Sequence, residues 1–226
     1  ARRHPRRAQR GELLPGLLER GDEPVVLVGH SMGGMTIMHL AQTHPDLFGT
    51  QVKAAGLFST AAGGLADFSP VRGVPGKAFT ALVPPLLAGL NRLPVLVERS
   101  RRADSDLGYV GTKRFAFGSD VPAAYVEFVS RMLAQTPLDV IADFYPTFAL
   151  HDEYASLEVL KRVPTTVVGG IDDLFTAIEH TDRIAELLPE ASVIRVPRCG
   201  HLGLIEHHEV FSAAVESLVR AYEPVD

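Results

Sequence analysis

The chain has 226 residues, of which 46% are hydrophobic and 22% charged, a composition typical of a folded globular protein. Its formal net charge of −5 gives no support to a nucleic-acid-binding role. The single cysteine, Cys199, excludes an internal disulfide bond and suits a reducing compartment, so we expect a cytoplasmic protein, and no stretch is apolar enough for a transmembrane segment.

Apolar runs alternate with amphipathic segments, and this alternation predicts an α/β fold with a mostly parallel sheet flanked by helices. In chain order the predicted elements are a strand at 25–28, a helix at 35–43, a strand at 52–58, helices at 123–135 and 137–150, a strand at 165–168, a helix at 176–188, a strand at 191–196 and a helix at 207–222. The first strand has no polar residue, as expected of a strand buried on both faces.

Residues 63–152 interrupt the alternation and are predicted to form an inserted helical cap. Their first half is rich in glycine and proline, and helical patterns follow only later. The core of the predicted fold therefore consists of residues 1–62 and 153–226. We expect the large apolar side chains of the cap, such as Phe115, Phe128 and Met132, to form mainly its own core, with some lining an apolar pocket.

A short motif follows the first predicted strand, where residues 29–33 read Gly-His-Ser-Met-Gly. A sharp strand-to-helix turn here exposes the Ser31 hydroxyl, and the glycines at 29 and 33 are expected to remove Cβ atoms that would clash. The next helix points the free N–H groups of its first turn at the same spot. The motif therefore predicts Ser31 as a nucleophile and the Met32 N–H as a donor in an oxyanion hole.

Two later loops, each following a predicted strand, supply an acid and a base. Asp172 and Asp173 follow the third strand, and either carboxylate is a candidate acid. His201, in Cys-Gly-His at 199–201, follows the fourth strand and is the candidate base. The chain order Ser, Asp, His is one of the orders found in Ser-His-Asp hydrolases, and open α/β sheets place their sites after the strands, where both loops lie.

Three other histidines, His30, His207 and His208, are interpreted as incidental. His30 occupies the variable position of the serine motif, and the other two begin the last predicted helix. No Walker lysine and no dinucleotide-binding glycine pattern is present, which disfavours a phosphate- or nucleotide-binding alternative.

The motif at 29–33 and the Gly-His near the end resemble the α/β-hydrolase family, in particular its capped serine esterases and lipases. The resemblance covers the chain from about residue 12 onward and includes His-Asp-Glu-Tyr at 151–154. It favours Asp173 over Asp172, because the family's loop places the acid three residues after a glycine, here Gly170. It implies a catalytic triad and no metal or organic cofactor.

The resemblance implies a serine hydrolase that cleaves carboxylic esters through an acyl-enzyme. The expected partner is a small lipophilic ester, such as a monoacylglycerol or a lysolipid. An acyltransferase, a haloperoxidase-like enzyme or a carbon–carbon bond hydrolase would use the same residues. A non-catalytic ligand-binding module is the alternative from a different functional class, and the oligomeric state stays open.

The sequence departs from this family before the serine motif. Members begin with several strands and a His-Gly loop that supplies a second oxyanion donor, whereas only 24 residues precede the first predicted strand here. We therefore expect the N-terminal part of the sheet to be absent and the strand at 25–28 to form an exposed apolar edge. Either a fragment or a short protein covered by a partner fits this expectation.

Overall fold

The computed structural model describes residues 21, 23–69, 75–90 and 106–222. The strands are β1 (Val25–His30), β2 (Val52–Phe58), β3 (Thr165–Gly170) and β4 (Ser192–Val196). The helices are α1 (Met32–Thr43), α2 (Gly76–Leu90), α3 (Asp106–Ala116), α4 (Ala123–Gln135), α5 (Leu138–Ala149), α6 (Leu157–Leu160), α7 (Ile178–Leu187), α8 (Gly203–Glu206) and α9 (His208–Tyr222). Short 3₁₀ segments lie at Pro45–Leu47, Leu65–Asp67 and Tyr154–Ser156. The predicted α/β fold is confirmed.

The four strands form one parallel sheet in the order β1-β2-β3-β4. Because they run in one direction, the residues that follow them lie along one edge of the sheet. Open α/β sheets place their binding and catalytic sites at this carboxyl edge. Within the described residues, β1 pairs on one side only, and Val28 is 42% exposed, as the predicted apolar edge requires.

Helices cover both faces of the sheet. Successive residues of β3, Val167 and Val168, point to opposite faces and belong to two different apolar clusters. The cluster around Val167 is closed by α1, α6 and α7, whose buried residues include Ile37, Met38, Leu157, Leu160 and Ile184. The cluster around Val168 is closed by α9 through Phe211 and Ala214. The two clusters hold the strand ends in fixed positions.

Helices α2 to α5 lie between β2 and β3 in the chain, within the segment predicted as a cap. Gly63 and Asp152 form an antiparallel bridge, so the two ends of this segment lie side by side. The division of the chain into a core and a cap domain stays a prediction, and the first twenty residues of that core lie outside the described residues.

Helix α2 was not predicted from the sequence, which has Pro84 and Pro85 in the middle of this segment. A proline inside a helix removes an N–H donor and crowds the preceding turn, so a proline pair argues against a helix. In the structure α2 packs against α5 and against Leu65–Asp67. We attribute its formation to this packing, which local propensity does not report.

The apolar side chains of the insert are more exposed than the sequence predicts. Phe117, Val126 and Val129 form a small buried cluster. Five others in α2 and α4 are at least half exposed: Leu82, Leu86, Phe128, Met132 and Leu133. The expectation that the large apolar side chains form the insert's own core is therefore wrong for these five. No helix among the described residues is long and apolar enough to cross a membrane.

Candidate active site

The loops after β1, β3 and β4 bring Ser31, Asp173 and His201 into one hydrogen-bonded row. The Nε2 of His201 lies 2.9 Å from the Oγ of Ser31. The Nδ1 of the same ring lies 2.9 Å from the Oδ2 of Asp173. With the proton on Nδ1, the ring donates to Asp173 and accepts the serine hydroxyl proton through Nε2. This arrangement suits proton transfer from Ser31 to His201.

Ser31 occupies a strained turn between β1 and α1, with φ 52° and ψ −118°. The N–H of Ser31 donates to the carbonyl of Phe58 at 2.9 Å, and the carbonyl of Ser31 accepts the Thr60 hydroxyl at 2.7 Å. Both contacts come from the end of β2, so the neighbouring strand holds the strained residue in place. Met32 is the first residue of α1, and its N–H therefore has no acceptor within the helix.

Only one of the two glycines that flank Ser31 in the motif prevents a clash. A Cβ at Gly29 would lie 2.4 Å from the carbonyl carbon of Gly33 and 2.5 Å from the nitrogen of Gly34. A Cβ at Gly33 would meet no atom within 4 Å. The prediction that Gly33 removes a clash is therefore wrong, because the close approach is between β1 at Gly29 and the main chain of α1.

We expect Gly29→Ala to lower the free energy of unfolding by about 3 kcal/mol or more, because main-chain atoms cannot move aside for the new methyl group. Gly33→Ala is the matched control from the same motif and is expected to raise stability by up to about 1 kcal/mol, since alanine favours a helix. Urea denaturation of both variants measures the difference. Equal stability of the two variants would contradict the close approach.

Asp173, rather than Asp172, faces His201. Asp173 is only 3% exposed, and its Oδ1 accepts the N–H groups of Phe175 and Thr176 at 2.8 and 3.0 Å. Burial alone raises the pKa of this carboxyl, but the hydrogen bond and charge of His201 and the two N–H donors outweigh burial and lower the pKa below its usual range. Asp172 is exposed. The carboxylate of Asp173 is thus held ionised against the imidazole.

Two neighbours of Asp173 were missed by the sequence analysis. The Thr176 hydroxyl donates to the Oδ2 of Asp173 at 2.8 Å, and α7 begins only at Ile178, two residues later than predicted. The Phe175 ring lies 5.1 Å from the His201 ring and is 48% exposed. An aspartate followed by a threonine three residues later is a local signal for such a turn.

His30 is not incidental, contrary to the sequence interpretation. Its Nε2 lies 2.7 Å from the main-chain oxygen of His201, and the two rings are 4.9 Å apart. Burial, together with the nearby His201, lowers the pKa of His30. A neutral His30 protonated on Nε2 therefore donates to the loop that carries the candidate base.

The other two histidines interpreted as incidental lie where α9 begins. His208 is exposed, and the ring of His207 lies 3.0 Å from the carbonyl of Arg198.

A cleft of about 600 Å³ opens beside Asp173. One wall comes from α3 and the residues that follow it, and the other comes from the loop after β3. Its lining includes Lys113, Arg114, Phe117, Ile171, Asp172 and Leu174. A cleft of this size holds a small organic ligand.

Among the described residues, one group brings three metal-ligating side chains together: Cys199, Glu206 and His207. Burial raises the pKa of the Cys199 thiol to about 12, whereas metal binding requires the thiolate. Both carboxylate oxygens of Glu206 already accept main-chain N–H groups. The chemistry of this group therefore does not suit a metal ion.

Comparisons with known proteins agree with this fold. The model of a family described as "Alpha/beta hydrolase family" matches residues 4–214. The chain is 30% identical over 213 residues to the sn-1-specific diacylglycerol lipase ABHD11 of Mus musculus, which covers 91% of the chain and 62% of that protein. It is 28% identical over 210 residues to a 2-hydroxy-6-oxononadienedioate/2-hydroxy-6-oxononatrienedioate hydrolase of Cupriavidus pinatubonensis, covering 91% of the chain and 65% of that protein. The chain thus spans less than two thirds of the length of both relatives.

Solved structures share the fold at low sequence identity. An esterase from Exiguobacterium antarcticum superposes with a TM-score of 0.70 at 16% identity, over 92% of this chain and 71% of that one. The enol-lactonase from Burkholderia xenovorans LB400 superposes with a TM-score of 0.65 at 19% identity, over 93% of this chain and 71% of that one. At such identities the likeness concerns the fold alone.

Proposed function

Because the chain belongs to the α/β-hydrolase family, we propose that it is a serine hydrolase of carboxylic esters, with Ser31, His201 and Asp173 as catalytic residues. The observation that carries the proposal is the row of two 2.9 Å hydrogen bonds that links these three side chains. The strained backbone at Ser31 and the buried carboxylate of Asp173 support the same assignment.

The proposed reaction proceeds in two halves. The Oγ of Ser31 attacks the acyl carbon while the Nε2 of His201 takes the hydroxyl proton, and the Met32 N–H donates to the oxyanion that forms. The imidazolium then gives this proton to the departing alcohol oxygen, leaving an acyl-enzyme. Water attacks the acyl carbon and gives a proton to His201, and the proton returns to Ser31 as the acid leaves. Asp173 holds the imidazole and stabilises its charged form throughout.

A lipophilic acyl group is the proposed substrate feature. The Phe175 ring lies beside His201 and is followed by the Phe115 ring of α3 at 6.4 Å, and these two aromatic rings favour binding of an apolar chain. One curated relative is a diacylglycerol lipase, which fits the same substrate class.

An anionic substrate is the second candidate. Arg114 and Lys113 line the cleft beside Asp173; Lys113 is paired with Asp120 at 2.7 Å, so the guanidinium of Arg114 is the group that would favour a substrate with a carboxylate. A curated relative that hydrolyses a dienedioate supports this class. The same catalytic residues would then act on a carbon–carbon bond rather than on an ester.

The two candidates are separated by turnover measured on matched substrates. Purified chain is assayed with neutral p-nitrophenyl esters from acetate to long acyl chains, and with acyl esters of equal length that end in a carboxylate. We expect turnover of the neutral esters, covalent labelling by a fluorophosphonate, and a labelled peptide that contains Ser31. Preference for the carboxylate-bearing esters would favour the second candidate. A folded chain that neither turns over an ester nor becomes labelled would contradict both.

A further inference from the structure

Glu206 directs its carboxylate at main-chain N–H groups from two separate parts of the chain. Its Oε2 accepts the N–H of Gly200 at 2.7 Å, in the loop that carries His201. Its two oxygens accept the N–H of Gly118 at 3.0 and 3.1 Å. Its Oε1 also accepts the N–H and the hydroxyl of Ser119. One partly buried carboxylate thus joins the His201 loop to the residues that follow α3.

A second contact joins the same two segments on the other side of His201. The N–H of Leu202 donates to the carbonyl of Ala116, the last residue of α3, at 2.9 Å. His201 therefore lies between two residues, Gly200 and Leu202, that are both tied to residues 116–119. The backbone on each side of the candidate base is held by the inserted segment.

The two main chains approach too closely for side chains at the point of contact. A Cβ at Gly118 would lie 2.7 Å from the carbonyl carbon of Cys199 and from the nitrogen of Gly200. A Cβ at Gly200 would lie 2.6 Å from the nitrogen of Gly118. This approach lets the N–H groups of both segments reach one carboxylate.

We propose that Glu206 is a positioning residue that fixes the His201 imidazole by clamping its loop to residues 116–119 of the insert. The inference rests on the proposed function, in which His201 is the base. It also makes residues 116–119 a fixed support of the active site, because moving them away would release both neighbours of His201. Hydrogen bonds from N–H groups to a carboxylate are strong and directional, as such a support requires.

Glu206→Gln tests the clamp with little change of shape. The carboxamide offers one acceptor oxygen, and its NH₂ group would face N–H donors that it cannot satisfy. We expect kcat and the rate of fluorophosphonate labelling at Ser31 to fall about ten- to a hundred-fold, with KM changed by less than about two-fold, because displacement of a catalytic group acts on the chemical step. Glu209→Gln, an exposed carboxylate three residues later, is the matched control and should leave all three quantities unchanged.

A spectroscopic readout separates positioning from general stability. The proton on the Nδ1 of His201, shared with Asp173, should give a downfield NMR resonance in the wild type and in Glu209→Gln. We expect this resonance to shift or broaden in Glu206→Gln. A lower midpoint of thermal unfolding with an unchanged resonance, kcat and labelling rate would mean that Glu206 is merely structural, and would overturn the clamp.

Ser119→Ala keeps the test decisive if Glu206→Gln fails to fold. It removes one hydrogen bond to Glu206 and is expected to lower the labelling rate about two- to five-fold and to move the same resonance. An unchanged resonance and rate in this folded variant would overturn the clamp. A folded wild type that is not labelled would instead overturn the proposed function. The comparison of variants with the wild type tests only the clamp.

Discussion

Ser31→Ala is expected to lower kcat for ester hydrolysis by about 10⁶ and to abolish fluorophosphonate labelling. The methyl group cannot attack the acyl carbon, so no acyl-enzyme forms and His201 has no proton to take. Only uncatalysed attack by water, aided by binding and by the oxyanion donor, would remain. The stability should change by only about 1 kcal/mol, because the contact that is lost is one hydrogen bond, from the Ser31 hydroxyl to the Nε2 of His201.

The size of the effect is checked with His201→Ala and with the double variant. Because the two residues act in one proton transfer, each single replacement should cost about as much as both together. Ser212→Ala, which removes an exposed hydroxyl from α9, is the control for loss of a serine and should retain full turnover and labelling. Losses that add up in the double variant would show that Ser31 and His201 act independently, contrary to the proposed mechanism.

The elements that carry the site could be predicted because of the way a parallel sheet is built. Short runs rich in β-branched residues, such as 25–28 and 165–168, are read as buried strands, and parallel strands end at one common edge. The residues that directly follow them therefore meet, although Ser31 and His201 are 170 residues apart in the chain. The residues alone left Asp172 and Asp173 open and only the family resemblance favoured Asp173, because burial on one side of a tight turn is what separates two adjacent carboxylates.

The supports of the site could not be predicted, because their partners are main-chain groups. His30 contacts the carbonyl of His201, and Glu206 accepts N–H groups as far as 88 residues away. Every residue offers such groups, so no side-chain pattern marks the acceptor or donor. The sequence around His30 or Glu206 would be the same whether or not the side chain made these contacts.

The exposed side chains of the insert were mispredicted for a related reason. Large apolar residues at helical spacing usually face a core, and α4 was predicted with correct bounds on that pattern. Its Val126 and Val129 are buried, but Phe128 and Met132 lie at the surface. Helical periodicity indicates an apolar face, and it does not indicate whether that face packs inward or is left for a substrate.

Asp173→Asn is expected to lower kcat by about 10⁴ while leaving the fold intact. The Oδ1 of Asp173 accepts two main-chain N–H groups, so the carboxamide oxygen would take that position. The NH₂ group would then replace Oδ2, which faces the Nδ1 of His201 at 2.9 Å. A donor at that place forces the imidazole proton onto Nε2, and a protonated Nε2 cannot accept the hydroxyl proton of Ser31.

Asp172→Asn is the matched control, because it makes the same exchange one residue away on an exposed side chain. Its kcat should stay within about two-fold of the wild type, since surface replacements away from a site change little. Both variants are compared at saturating ester, and their unfolding midpoints are measured to exclude loss of fold. A large loss in Asp172→Asn with full turnover in Asp173→Asn would assign the acid to Asp172. It would also require the His201 ring to turn away from the carboxylate that now lies 2.9 Å from it.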